Sequence, residues 1–174
     1  MLIDLEYFNN FTNDFETSTD VDEIKTDCIL SAQKIASNYL GYEIEETNIK
    51  EVFYNIYNDF IVLRGYVTKV NTLKIDGTTI DSDDVTIDKY YITISDYTNY
   101  KNVKVEVDYT IGWTDTTVDN IFKVVIAEIA TLLYIQTHKN IGITGLVGSD
   151  GMSRTFVNYT NFDKYLRKLE GYRR

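Results

Sequence analysis

The stretch Asn102–Trp113, NVKVEVDYTIGW, decides the class of fold. Val103, Val105, Val107, Tyr109 and Ile111 fall on one side of an extended chain, and Lys104, Glu106, Asp108 and Thr110 fall on the other. Side chains alternate across a strand with period two, so the stretch reads as a strand with one dry and one wet face. Such a strand belongs to an antiparallel sheet packed on one side only.

Period two continues towards the N-terminus. EVFYNIYNDFIVLRGYV, residues 51–67, reads as strand, turn, strand, with Asn58-Asp59 at the turn. VNTLKIDGTTI, residues 70–80, carries an Asp76-Gly77 pair suited to the positive φ of a tight hairpin turn. DSDDVTIDKYYITI, residues 81–94, continues the β pattern.

On both sides of this block the period changes to that of a helix. STDVDEI, residues 18–24, places Thr19 or Asp20 as a cap, with acids in the first turn. Val21, Ile24, Cys28, Ala32, Ile35 and Tyr39 then line one apolar face, and Gly41 supplies the stop. Residues 114–140 return to helical spacing. There Thr116 or Thr117 caps, Val118, Ile121, Phe122, Val125, Ile129, Leu132 and Leu133 form the stripe, and His138 and Lys139 sit in the last turn. Strands grouped between two helices predict an α+β fold: two long helices flanking an antiparallel hairpin and sheet insertion, then an extended C-terminal arm and a short terminal helix. The expected organisation is an N-terminal arm or short helix over residues 1–17, an α+β domain over 18–139, and a glycine-rich hinge, arm and basic helix over 140–174.

The hinge is GITGLVGSDG, with Gly142, Gly145, Gly148 and Gly151 in step. It follows a helix and contains no lysine, so it is not a phosphate loop, and it does not fit G-x-G-x-x-G. Collagen needs many repeats and proline, and this chain has no proline. A loop leading into a swinging arm is what remains.

Chemistry is otherwise sparse. One cysteine, Cys28, excludes an internal disulfide and a cysteine zinc site. Cys28 lies on an apolar helix face, where a thiol is ordinarily inert. His138 is the only histidine, and its helix-end position suits capping better than zinc. Asp81–Asp88 gathers carboxylates, but Val85, Thr86 and Ile92 stand where an EF-hand needs a ligand, a glycine and a glutamate. No pair of carboxylates stands out for glycoside hydrolysis. No catalytic, cofactor or metal residue is assigned.

Charge says more. The 174-residue chain carries a net charge of −10, which disfavours general nucleic-acid binding. Residues Met1–Asp27 hold eight acids and one lysine, a balance of −7, whereas Lys164–Arg174 hold five basic residues and one glutamate, a balance of +4. Such polarity suits electrostatic pairing with other chains. The 15 tyrosines suit strands and also wet protein contacts. No apolar run approaches a bilayer span, and the N-terminus lacks the pattern of a signal peptide, so synthesis in a cytoplasm and no membrane partner are expected.

Several phrases in this order resemble the head–tail connector (adaptor, or head-completion) proteins of tailed bacteriophages. They are a first helix ending SAQKIASNYLGYEI, the strand and D-G turn VTKVNTLKIDGTTI, the strand VKVEVDYTIGW, the second helix VDNIFKVVIAEIATLLYIQ, and the loop and arm GITGLVGSDGMSRTF. The likeness covers roughly residues 18–160. Val118 stands where that family often has proline, and residues 1–17 have no counterpart. The resemblance implies a structural virion protein of the neck: a ring, usually of twelve subunits, below the portal. Such a ring extends the DNA channel and meets a downstream neck or tail protein, without turnover and without specific DNA binding.

On this reading Gly142–Gly151 is the hinge, and the arm, with Met152, Arg154, Phe156 and Tyr159, reaches a neighbouring subunit. Phe162, Tyr165, Leu166, Arg167, Lys168, Leu169, Arg173 and Arg174 are expected to dock on the portal or an adjacent ring. In that expectation Tyr165, Leu166 and Leu169 are the apolar stripe, with the cations, Lys164 included, around it. Competing readings are another neck or tail-completion protein, a carbohydrate- or protein-binding β module, and a small hydrolase using carboxylates.

Overall fold

The computed structural model describes residues 1–54, 56, 60–95, 103–138, 146–147, 153–154 and 162–173. The fold is α+β, in two compact units. The chain ends form a helical unit, Met1–Tyr39 with Val118–Arg173, and the middle, Leu40–Thr117, forms a strand unit.

The helical unit contains α1 (Leu5–Thr12), α2 (Thr19–Leu40), α3 (Asn120–His138) and α4 (Asp163–Leu166), the last continued by a 3-10 turn at Arg167–Tyr172. Asp4 caps α1 by accepting from Tyr7 N at 2.8 Å, and Asn13 ends it in the left-handed region. Leu2, Ile3 and Phe8 are buried. The α3 stripe is rotated from its expected place: Phe122, Val125, Ile126, Ile129, Ala130 and Tyr134 are buried, while Ile121, Leu132 and Leu133 are half-buried. The reason lies in what packs on α3. Phe8 meets the Tyr134 ring edge-on at 6.1 Å, and Tyr172 meets Phe122 at 4.8 Å. By length and hydropathy Asn120–Thr137 could cross a membrane, contrary to the expectation from sequence. Here Phe122, Val125, Ile126, Ala127, Ile129, Ala130 and Tyr134 of this helix are buried in the core of the unit.

The strand unit contains β1 (Thr47–Tyr54), β2 (Ile61–Val62), β3 (Val67–Ile75), β4 (Thr78–Thr79), β5 (Val85–Asp88), β6 (Tyr91–Ile94) and β7 (Lys104–Ile111). One antiparallel sheet has the order β1-β7-β3-β4, and a second has the order β2-β6-β5. The alternation of β7 holds: Val105, Val107, Tyr109 and Ile111 are buried. The β3–β4 hairpin turns at Asp76 and Gly77, both at positive φ. The expected pairing of residues 51–54 with the next strand does not occur. β1 pairs instead with β7, from Thr47↔Ile111 to Tyr54↔Lys104, and β2 belongs to the other sheet. The eight-residue β7 offered β1 eight paired residues, more than the two-residue β2 could. Asn58 and Asp59 lie outside the described residues.

Candidate interaction surfaces

The basic C-terminal segment is packed on its own chain. Leu166 and Leu169 are buried, so this part of the expected docking stripe faces the helical core. Lys168 Nζ donates to both Glu128 carboxylate oxygens at 2.7 Å. The Arg173 guanidinium lies 5.1 Å from the Tyr39 ring, and Tyr39 donates to Glu170. Tyr165 and Phe162 are half-buried, with the Lys164 and Lys168 ammoniums 5.5 and 5.8 Å from the Tyr165 ring. Lys164 and Arg167 stay exposed. Arg154 falls in a two-residue strand: β8 (Leu146–Val147) pairs antiparallel with β9 (Ser153–Arg154). Met152, Phe156, Tyr159, Arg174 and the four hinge glycines lie outside the described residues.

The N-terminal segment carries a surface that periodicity did not reveal. Lys25, on α2, is fully buried, and its ammonium is enclosed by oxygen. It donates to Asn9 Oδ1 at 2.9 Å, to the Asp14 carbonyl at 3.1 Å and to the Glu16 carbonyl at 2.9 Å, with the Asp14 carboxylate at 3.5 Å. A buried ammonium is tolerable only when so surrounded. Leu2 N donates to the buried Gln33 amide oxygen at 2.7 Å. The segment is thus pinned at several points, and it holds Phe11 (42% exposed) and Phe15 (61% exposed) outward. Phe11 stacks on Tyr7 at 6.4 Å, and the Lys123 ammonium lies 6.0 Å from the Tyr7 ring.

In the strand unit a second polar anchor ties the β2–β3 loop to the sheet. The buried Tyr109 hydroxyl donates to Glu51 Oε2 at 2.6 Å and accepts from Arg64 N at 3.0 Å, while Arg64 Nε meets Glu51 Oε1 at 2.6 Å. Burial first, then the carboxylate contact, hold the Tyr109 phenol well above its ordinary range. The wet face of the four-stranded sheet is self-satisfied. Two irregularities in β3 turn Thr68 and Asn71 outward, and the Asn71 amide lies 3.1–3.2 Å from Asn48, Asp108 and Thr110 oxygens. Lys50 pairs with Asp108 at 3.1 Å, and Lys104 pairs with Glu106. These contacts lower the carboxyl pKa of both acids. A groove of about 420 Å³ runs over this face, lined by Lys50, Val52, Thr72, Lys74, Glu106 and Asp108.

Among the described residues no group of three or more His, Cys, Asp or Glu side chains could hold a metal. Burial pushes the Cys28 thiol up to about 11, which leaves it protonated at neutral pH. Asp81 accepts from Asp83 N at 3.2 Å and caps a single exposed 3-10 turn, a local structural use of the acidic loop.

No family model matches the chain. No curated protein matches it either. Solved structures do. A chain in the neck of an empty GTA particle, computed with C6 symmetry, superposes with a TM-score of 0.61 at 11% identity, covering 96% of this chain and 88% of that one. A chain in the virion of a native gene transfer agent (GTA) particle gives 0.59 at 12%, covering 97% and 87%. At such identities the likeness is one of fold.

Proposed function

We propose that this chain is a structural component of the neck of a phage-like particle. It forms an oligomeric ring below the portal, extends the DNA channel and joins the capsid to the tail. The observation that carries this reading is the likeness of nearly the whole chain to a chain of a GTA neck. Its partners are further copies of itself, the portal protein and a downstream neck or tail protein. It has no cofactor and no turnover. DNA passes without specific binding, because a net charge of −10 repeated around a channel repels phosphate. No membrane is involved. Gly142–Gly151 acts as the hinge for the arm, through which Met152, Arg154, Phe156 and Tyr159 add to a neighbour by edge pairing. Lys164, Arg167 and the other exposed parts of the C-terminal turn meet an adjacent protein.

Native mass spectrometry and negative-stain imaging, with and without portal protein, test this. Rings are expected in at least one condition, and a Gly145→Val/Gly148→Val variant should assemble poorly. A chain that stays monomeric with the portal present would overturn the reading.

A further inference from the structure

The aromatic, acidic N-terminal segment is not accounted for by the neck reading. Its structure is costly to ignore. Three anchors hold it: Phe8 in the core, Leu2 on Gln33 and the Lys25 cage. A segment held this firmly could have turned Phe11 and Phe15 inward. Instead both rings stand in solvent, and the carbonyls on either side of Phe15 are turned to Lys25. Rigid, exposed aromatic rings are the ordinary anchors of protein interfaces.

The charge around them defines the occupant. Lys25 is the only lysine or arginine among residues 1–27, and it is buried. The segment therefore presents carboxylates to solvent, Glu6, Glu16 and Asp20 among them. Its match would combine cations with apolar or aromatic surface. The C-terminal turn of this same chain has that chemistry. Lys164 and Arg167 are exposed and make no ion pair among the described residues, beside the half-buried ring of Tyr165. Two different, complementary surfaces on one chain make a head-to-tail contact, the kind that closes a ring.

We propose that Phe11 and Phe15 of one copy, with Glu6 and Glu16, dock on the turn around Lys164 and Arg167 of the next copy. This contact rests on the ring reading above, and the experiment separates the two. The full chain is compared with Phe11→Gln/Phe15→Gln and with Lys164→Glu/Arg167→Glu. Circular dichroism checks the fold, and sedimentation velocity at two salt concentrations measures assembly. Each variant should keep the helical signal and weaken self-association by about thirtyfold, the scale of losing an interface anchor. Adding Glu6→Lys/Glu16→Lys to the Lys164→Glu/Arg167→Glu chain should restore assembly. If rings form and both variants assemble like the parent, this contact is wrong while the ring reading stands. If assembly weakens but the reversed charges do not restore it, the pairing of these two surfaces is wrong. A parent chain that is monomeric throughout, with and without portal, overturns both.

Discussion

The helical unit and the strand unit each tie a peripheral segment to a core with buried polar groups, but by opposite means. In the helical unit the anchor is a cation removed from water, Lys25, and its partners are mainly uncharged oxygens of the segment it holds. In the strand unit the anchor is a neutral phenol, Tyr109, joined to the Glu51 carboxylate, whose cationic partner Arg64 has a side chain 75% exposed. The first arrangement concentrates the cost of failure in one atom, Lys25 Nζ. The second spreads it over groups that water can partly replace.

The strand unit nevertheless has one position with no such tolerance. Gly112 has a φ of 74°, and a Cβ there would stand 2.5 Å from the Glu45 carbonyl oxygen. That approach lets Trp113 N donate to the Ile44 carbonyl and Glu46 N to the Trp113 carbonyl, both at 3.0 Å. Gly112→Val should cost about 4 kcal/mol, from strain and forced backbone movement together. Hydrogen exchange in β7 and β3 is the readout, and unchanged protection there would show that the backbone around Gly112 and Glu45 adapts.

Lys25→Met should come next, at about 3 kcal/mol, because it leaves the enclosing oxygens without their donor. Amide exchange should rise across Leu5–Thr12 and the following loop. If it stays flat while the melting temperature falls, the ammonium supports the core and does not hold the segment.

The smallest effect is a pH dependence that distinguishes two tyrosines. Burial, then the Asp14 and Glu16 carboxylates, push the Tyr134 phenol up to about 12 from 10.0. The folded state therefore keeps its proton where the unfolded chain loses it. That stability is full below about pH 10 and is lost as pH rises through about 12. Tyr134→Phe should flatten the alkaline part of the stability curve and leave in place the Lys25 hydrogen bonds to Asn9 and to the Asp14 and Glu16 carbonyls. Tyr109→Phe should flatten it too, but with an added loss at neutral pH of about 1.5 kcal/mol from the stranded Glu51 carboxylate and Arg64 amide. Equal behaviour of the two variants at neutral pH would remove the distinction between the units.

How much of this was legible in the sequence follows from the range of each interaction. The Asp76-Gly77 turn, the Gly41 stop at φ 83° and the alternation of β7 are local, and all were readable. The start of α2 was readable to within a residue or two, the cap being Ser18, whose Oγ accepts from Val21 N at 3.3 Å, and not Thr19 or Asp20. The β1–β7 partnership was not, since nothing in residues 51–54 names a partner some 50 residues away. The same holds for the surfaces. A basic C-terminal turn was visible as composition, but the burial of Leu166 and Leu169 against their own unit was not. Phe11 and Phe15 were visible only as aromatic residues among acids, because their exposure depends on a lysine cage closed from α2.

By itself, then, the sequence determined where the chain is helical and where extended, the α+β class, and the opposed charges of its two ends. These depend on neighbours within a few residues, through period, caps and the φ that glycine permits. Tertiary structure alone decided which strands pair, which face of α3 is covered, and which charged and aromatic groups remain for other molecules. Those choices rest on burial, and burial is a property of elements brought together from opposite ends of the chain.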